Sequence, residues 1–165
     1  MEIDINQDIS ILDQVKIQAQ VLLPVIRAFR KELGDERANA IVRAALREWS
    51  RAVHQAIAAR TPGTPREKWA AMTAAAMPRI GEAIDIDFLK HEADTVEFNV
   101  TGCRYAEFFR ALGEPELGGL RLCDGDVYVA EAGSPEVEFR RTQTIMQGAK
   151  YCDFRYRMKQ GGAAE

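Results

Sequence analysis

The residues of this chain best suited to covalent or metal chemistry are its three cysteines. Cys103, Cys123 and Cys152 all fall in the last two-fifths of the 165 residues. Cys123 is followed three residues later by Asp126, and Cys152 heads a Cys-Asp-Phe stretch after Gly148. A thiol beside a cation has a lowered pKa and acts as a nucleophile. Three thiolates with Asp126 or His91 would instead suit zinc, although the spacing lacks the close pairs of structural zinc sites. Against both readings stands the ordinary behaviour of free cysteine as a small core residue. The familiar templates are absent: there is no Gly-rich phosphate loop, nucleophile-elbow serine, His-Glu-x-x-His or Cys-x-x-Cys. His54 and His91 are far apart in sequence, so a Ser-His-Asp mechanism has no footing, and His54 reads as a helix-surface or core-edge side chain.

Lys and Arg number 22 against 25 Asp and Glu, a net charge of −3. The chain therefore lacks the basic field that nucleic acid or an anionic membrane requires, and neither is expected as a partner. With 47% hydrophobic and 28% charged residues, a sizeable core is expected and disorder is not. The start, Met1-Glu2-Ile3-Asp4, is acidic where a secretory signal is basic. The longest strongly apolar stretch, 21–26, is far shorter than the roughly 20 residues that cross a bilayer. With an odd number of cysteines, these features predict a cytoplasmic protein with reduced thiols.

The elements that would position the thiols form one domain over 1–160, with a helical half at 1–82, a sheet half at 83–158 and a disordered tail at 161–165. Leu12, Val15, Ala19, Leu22, Ile26, Phe29 and Leu33 follow the spacing of one helix face, with a kink expected at Pro24 and a stop at Gly34. Such a stripe is a core face or the seam of a homodimer. A second stripe, from Ile41 to Ile57, follows Asp35, read as an N-cap, and ends near Arg60. Thr64-Pro65-Arg66-Glu67 supplies a cap, a first-turn proline and a capping-box Glu for a third helix reaching about Met77. The period then drops to two. Ile84, Ile86 and Phe88, a turn at 92–94, and Val96, Phe98 and Val100 predict an antiparallel hairpin. A short helix at 105–112 follows, and strands at 137–146 and 151–158 flank a turn at 147–150. Residues 117–132 are ambiguous, because Asp126-Val127-Tyr128-Val129 has strand propensity. The fold class is α+β, with N-terminal helices packed on an antiparallel sheet of about four strands and helical connections. On the last strand Cys152, Phe154 and Tyr156 take the inner face, and Tyr151, Asp153, Arg155 and Arg157 the outer. If Val137 and Phe139 face the core, so does Arg141, which would share a cavity with Cys152.

Three stretches in order, Asn99-Val-Thr-Gly-Cys103-Arg-Tyr105-Ala-Glu-Phe-Phe-Arg-Ala-Leu-Gly113, Cys123-Asp-Gly-Asp126 and Phe139-Arg-Arg141-Thr-Gln-Thr144-Ile-Met-Gln-Gly148-Ala-Lys-Tyr-Cys152-Asp153-Phe154, closely resemble the L-2-amino-thiazoline-4-carboxylic acid hydrolase family. The same skeleton is similar to the vinyl-4-reductase small-molecule-binding domains, a likeness that implies helix over 117–132. The first resemblance implies hydrolytic opening of a cyclic amidine, the 2-amino-thiazoline ring of a small carboxylate, to a carbamoyl-cysteine, a step of cysteine metabolism. Such a substrate needs a cation for its carboxylate, an anion for its amidinium and a group that activates water. In these terms Arg141 takes the carboxylate. Asp126 takes the amidinium or serves as general base, and Cys152 or Cys123, with Cys103 nearby, attacks the amidine carbon. Thr144 and Asp153 are further substrate-binding candidates. The strand alternation sets Thr144 opposite Arg141 and puts Asp153 on the outer face, where a salt bridge to Arg155 or Arg140 is the plainer role. Arg141 as an edge-strand surface residue and Asp126 as a turn or cap residue are the plain alternatives for that pair. The thiol route needs no cofactor; the metal route would place zinc on Cys103, Cys123, Cys152 and His91. A non-catalytic sensor or carrier of a small ligand, built on the same pocket, is the reading from a different class.

Overall fold

The computed structural model describes residues 9–159. Ser10 caps helix α1 (Ile11–Leu33) by accepting the Asp13 N–H at 3.0 Å, and Gly34 ends it at φ 78°, a left-handed value that glycine adopts without a Cβ clash. Gly34 alone separates α1 from α2 (Asp35–Arg60), so the two long helices pack along one another. Gly34 also occupies the cap position expected of Asp35, which becomes the first residue of α2 and places its carboxylate at the positive end of the helix dipole. Helix α3 (Pro65–Ile80) opens with the reciprocal capping box: Thr64 Oγ1 accepts the Glu67 N–H at 3.3 Å, and the Glu67 carboxylate accepts the Thr64 N–H at 2.8 Å. It runs beyond Met77 and through Pro78 to Ile80, with the loss of the one backbone bond to the Ala74 carbonyl that Pro78 cannot donate, and Gly81 caps it.

A hairpin of β1 (Ile84–His91) and β2 (Thr95–Cys103) follows. From β2 the chain crosses through α4 (Arg104–Ala111), α5 (Pro115–Gly118), a π-turn (Gly119–Cys123) and α6 (Asp124–Glu131) to β3 (Val137–Arg140), then through a 3-10 turn (Ile145–Gln147) to β4 (Cys152–Met158). All pairings are antiparallel in the order β1-β2-β4-β3, so the fold is α+β, as expected. The ambiguous 117–132 segment is helical. Gly125 lets α6 lie close on α2, where a Cβ would meet the His54 ring at 3.3 Å, and α2 reaches over the segment through Arg47 to Asp124 at 2.9 Å and Arg51 to Glu131 at 3.7 Å. Tertiary packing here overrides the strand propensity of the valines.

β3 is shorter than the expected 137–146. The Thr142 and Gln143 N–H groups, which a longer ladder would need, are taken by the Asp153 carboxylate at 2.9 and 2.8 Å. On β4, Cys152, Phe154, Tyr156 and Met158 are buried and alternate with more open residues, as the sequence alternation requires. Phe98 stacks on Phe154 and Phe139 on Tyr156, each at 4.8 Å, and Trp69 of α3 meets Tyr156 at 5.0 Å. Val15, Ala19, Leu23 and Ile26 of α1 join this core. The apolar stripes are only partly buried: Phe29 and Leu33 of α1 and Ile41, Trp49 and Ile57 of α2 stay exposed, while α2 buries Ala38 and Ser50. His54 is half-buried and its Nδ1 lies 2.7 Å from the Ser50 carbonyl, the core-edge role expected of it. Among the described residues no helix is long and apolar enough to cross a membrane.

Gly118 marks a tight approach of the crossover to the core, since a Cβ there would lie 2.7 Å from the Met146 side chain and the Phe109 ring. Phe109 is fully buried and has nowhere to move. Gly118→Ala is therefore expected to destabilise the protein by about 1–3 kcal/mol, read as a lower urea midpoint. Gly119→Ala, where a Cβ meets nothing within 4 Å, should leave the midpoint unchanged or raise stability by up to about 1 kcal/mol.

Candidate functional site

The crossover delivers Cys123 and Asp126 to one helix face, three residues apart on either side of the end of the π-turn. The Asp124 N–H reaches back five residues to the Gly119 carbonyl, the hydrogen bond that defines such a turn. Arg141, one residue beyond β3, donates to the Asp126 carboxylate and also to the Cys123 carbonyl at 2.9 Å. Its guanidinium lies over the Phe154 ring at 5.4 Å and near Phe139 at 6.0 Å. Arg141 and Asp126, expected to take opposite ends of a substrate, thus engage one another.

The Asp126 carboxylate is ringed by protein, although 37% of its side chain meets solvent at one edge. Desolvation raises its pKa to about 6, against the charge and hydrogen bond of Arg141, which pull it down. The thiols depart from expectation in the same direction. Burial pushes up all three, Cys123 to about 12; at Cys123 and Cys152 the charge of Arg141, already met by Asp126, does not offset the desolvation. The lowered thiol pKa expected beside Arg141 is absent, and the cysteines are neutral at pH 7.

The three thiols nevertheless form one cluster. Cys123 interacts electrostatically with Asp126, Arg141, Cys152 and Cys103, and Cys103 with Asp126. The Cys152 Sγ is buried and accepts the Ile145 N–H at 3.2 Å. The Cys103 Sγ caps α4 by accepting the Ala106 N–H at 3.4 Å. His91 lies elsewhere: it pairs with Val96 at the turn end of the hairpin, whereas Cys103 pairs with Ile84 at the other end, and its ring stacks on Phe88 at 5.7 Å. The proposed zinc set is therefore not assembled. Among the described residues no three His, Cys, Asp or Glu side chains are grouped to hold a metal ion.

Thr144 and Asp153 are both occupied by backbone. Thr144 is buried, and its Oγ1 accepts the Gln147 N–H at 3.2 Å and donates to the Gln147 side chain at 3.0 Å. Asp153 accepts from the Thr142 hydroxyl at 2.6 Å as well as from two backbone N–H groups, in place of the expected bridge to Arg155 or Arg140. Desolvation alone would raise its carboxyl, but these hydrogen bonds together hold it below its ordinary value. Sequence reasoning passed over Arg121, whose Nε and one terminal nitrogen both donate to Gln18 Oε1 at 2.8 and 2.6 Å while its guanidinium sits 4.5 Å over Trp49. A lone arginine between Leu120 and Leu122 was the available signal.

The model of the L-2-amino-thiazoline-4-carboxylic acid hydrolase family matches residues 14–156. The chain belongs to this family. The family match takes in the helical half as well as every thiol, Asp126, Arg141 and Arg121. No curated protein matches the sequence. Among solved structures, the phenol-responsive sensory domain of the transcription activator PoxR with phenol is similar at 10% identity and a TM-score of 0.40, over 84% of this chain and 73% of that one.

Because Asp126 holds its proton more tightly in the folded state, at about 6, than its ordinary 3.8, the native protein binds more protons than the unfolded chain between those values. Its contribution to stability is complete below about pH 4 and is lost as pH rises through 6. Urea denaturation across pH 4–7 should therefore show a smaller decline for Asp126→Asn than for wild type. Parallel curves would contradict the raised carboxyl.

Proposed function

We propose that this family member is a hydrolase that opens the cyclic amidine of L-2-amino-thiazoline-4-carboxylate, or of a closely similar small carboxylate, to a carbamoyl-cysteine. The observation that carries the reading is a solvent-reaching carboxyl raised to about 6, set among three neutral thiols and lying inside the family match. A base titrating near neutrality suits water addition. Asp126 takes a proton from water as the water oxygen bonds to the amidine carbon and the C=N electron pair moves to nitrogen. It returns that proton to the ring heteroatom as the bond to it breaks, and the proton of the added hydroxyl passes to the amidine nitrogen as the carbonyl forms. One water is consumed, one ring bond breaks, and the former amidine carbon becomes the carbamoyl carbonyl. Arg141 holds the carboxylate in place from the sheet side through its contacts to Asp126 and the Cys123 carbonyl. The thiols serve this chemistry as weakly hydrogen-bonding walls, since burial raises all three and a protonated thiol is a poor nucleophile.

The second reading, a binding or sensor domain without turnover, is favoured by one observation: none of the three thiols is activated.

Mass spectrometry of carbamoyl-cysteine formed from L-2-amino-thiazoline-4-carboxylate decides between them. Wild type is expected to turn over, with the acid limb of kcat near pH 6. Asp126→Asn should lose about 10²- to 10⁴-fold in kcat, while Cys123→Ser and Cys152→Ser stay within about tenfold of wild type. The reverse pattern would replace activated water with thiol attack. Saturable binding measured by calorimetry, with no product, would establish the sensor reading.

A further inference from the structure

A second polar cluster adjoins Cys103 and is not used by the chemistry above. Gln14 and Gln18 lie four residues apart on α1, on the same face of adjacent turns, and each holds a guanidinium: Gln14 Oε1 accepts from Arg79 at 3.2 Å, and Gln18 Oε1 accepts from Arg121 twice. Neither arginine has a carboxylate partner among the described residues. Arg30 and Arg141, by contrast, meet Glu114 and Asp126. Tyr105 is 6% exposed and its hydroxyl has no hydrogen-bond partner, nor does the Nε of Arg79. That hydroxyl lies within electrostatic reach of Arg121, Arg79 and the Cys103 thiol. Burial of Arg121 without a counter-ion pulls its pKa down to about 10.

We propose that Arg121, Arg79 and the Tyr105 hydroxyl form a cradle for the carboxylate of a small organic acid whose remaining atoms extend toward Cys103. The two Arg121 donors that converge on Gln18 are the pair with which a guanidinium grips a carboxylate. A carboxylate is a stronger acceptor than the amide oxygen it displaces, and it supplies the missing negative charge. The unpartnered Tyr105 O–H donates to it as well. The cradle takes over the role that Arg141, neutralised by Asp126, cannot fill. In naming the ligand, the inference rests on the hydrolase reading.

Isothermal titration calorimetry with L-2-oxothiazolidine-4-carboxylate, which keeps the ring carboxylate and lacks the amidine, tests the cradle without any need for turnover. Wild type should bind it, and Arg121→Met should weaken binding about 10- to 100-fold. Arg121→Lys should recover part of the loss, and Arg79→Met provides a second probe if Arg121→Met does not fold. Binding of 2-amino-thiazoline, the ring without a carboxylate, should be unchanged in all three variants. Equal binding of the carboxylate by wild type and folded Arg121→Met, or no binding by wild type, overturns the cradle. Turnover of L-2-amino-thiazoline-4-carboxylate with KM indifferent to Arg121→Met would overturn the cradle and leave the hydrolase reading standing. Arg121-dependent carboxylate binding without turnover would do the opposite.

Discussion

The contact on which this architecture turns is that of Arg141 with Asp126 and the Cys123 carbonyl. It is the polar tie between the end of a short strand and the helical crossover, and it lies over the rings of Phe154 and Phe139 where water is scarce. A guanidinium in such a place needs an anion close by, and a carboxylate so crowded needs a cation; each makes the burial of the other tolerable. The pairing also settles the local electrostatics. Because the charge of Arg141 is taken up by Asp126, it is not available to ionise the thiols around it, and desolvation decides their protonation.

The crossover is held to that contact from its other side. Arg43, Arg47 and Arg51 of α2, spaced one turn apart, reach Glu116, Asp124 and Glu131 along α5 and α6. Each pair is too exposed to contribute much alone, but their row fixes the register of the crossover against α2. Within it the π-turn inserts an extra residue, so the helical faces before and after it are out of step. That change lets Arg121 meet Gln18 and Trp49 while Cys123 and Asp126 meet Arg141.

Much of the fold was legible because local rules and burial agreed. The Thr64 capping box, the Gly34 stop and the alternation on β4 are short-range patterns whose physics is contained in a few neighbouring residues. Legibility failed where a distant group intervened. Asp153 cut short the strand expected through 146 by taking its N–H groups. Over 117–132 the residues alone leave strand and helix open, the resemblance points to helix, and packing of α2 against Gly125 accompanies the helix that forms. For the site, the sequence singled out Cys103, Cys123, Cys152, Asp126 and Arg141, and the structure brings these five together. His91 sits at the far end of the hairpin, and Thr144 and Asp153 give their polar atoms to neighbouring turns, since which end of a hairpin or which turn a residue serves depends on pairings that spacing does not encode.

The sequence by itself determined the α+β class, the family and the identities of the clustered groups, because hydrophobic period, caps and motif residues are written in the chain. Only the tertiary structure decided their charge states and their partners. A pKa is set by everything packed around a group, and packing brought Asp126 to Arg141, left three thiols protonated, and set Arg121 and Arg79 against glutamines in place of carboxylates.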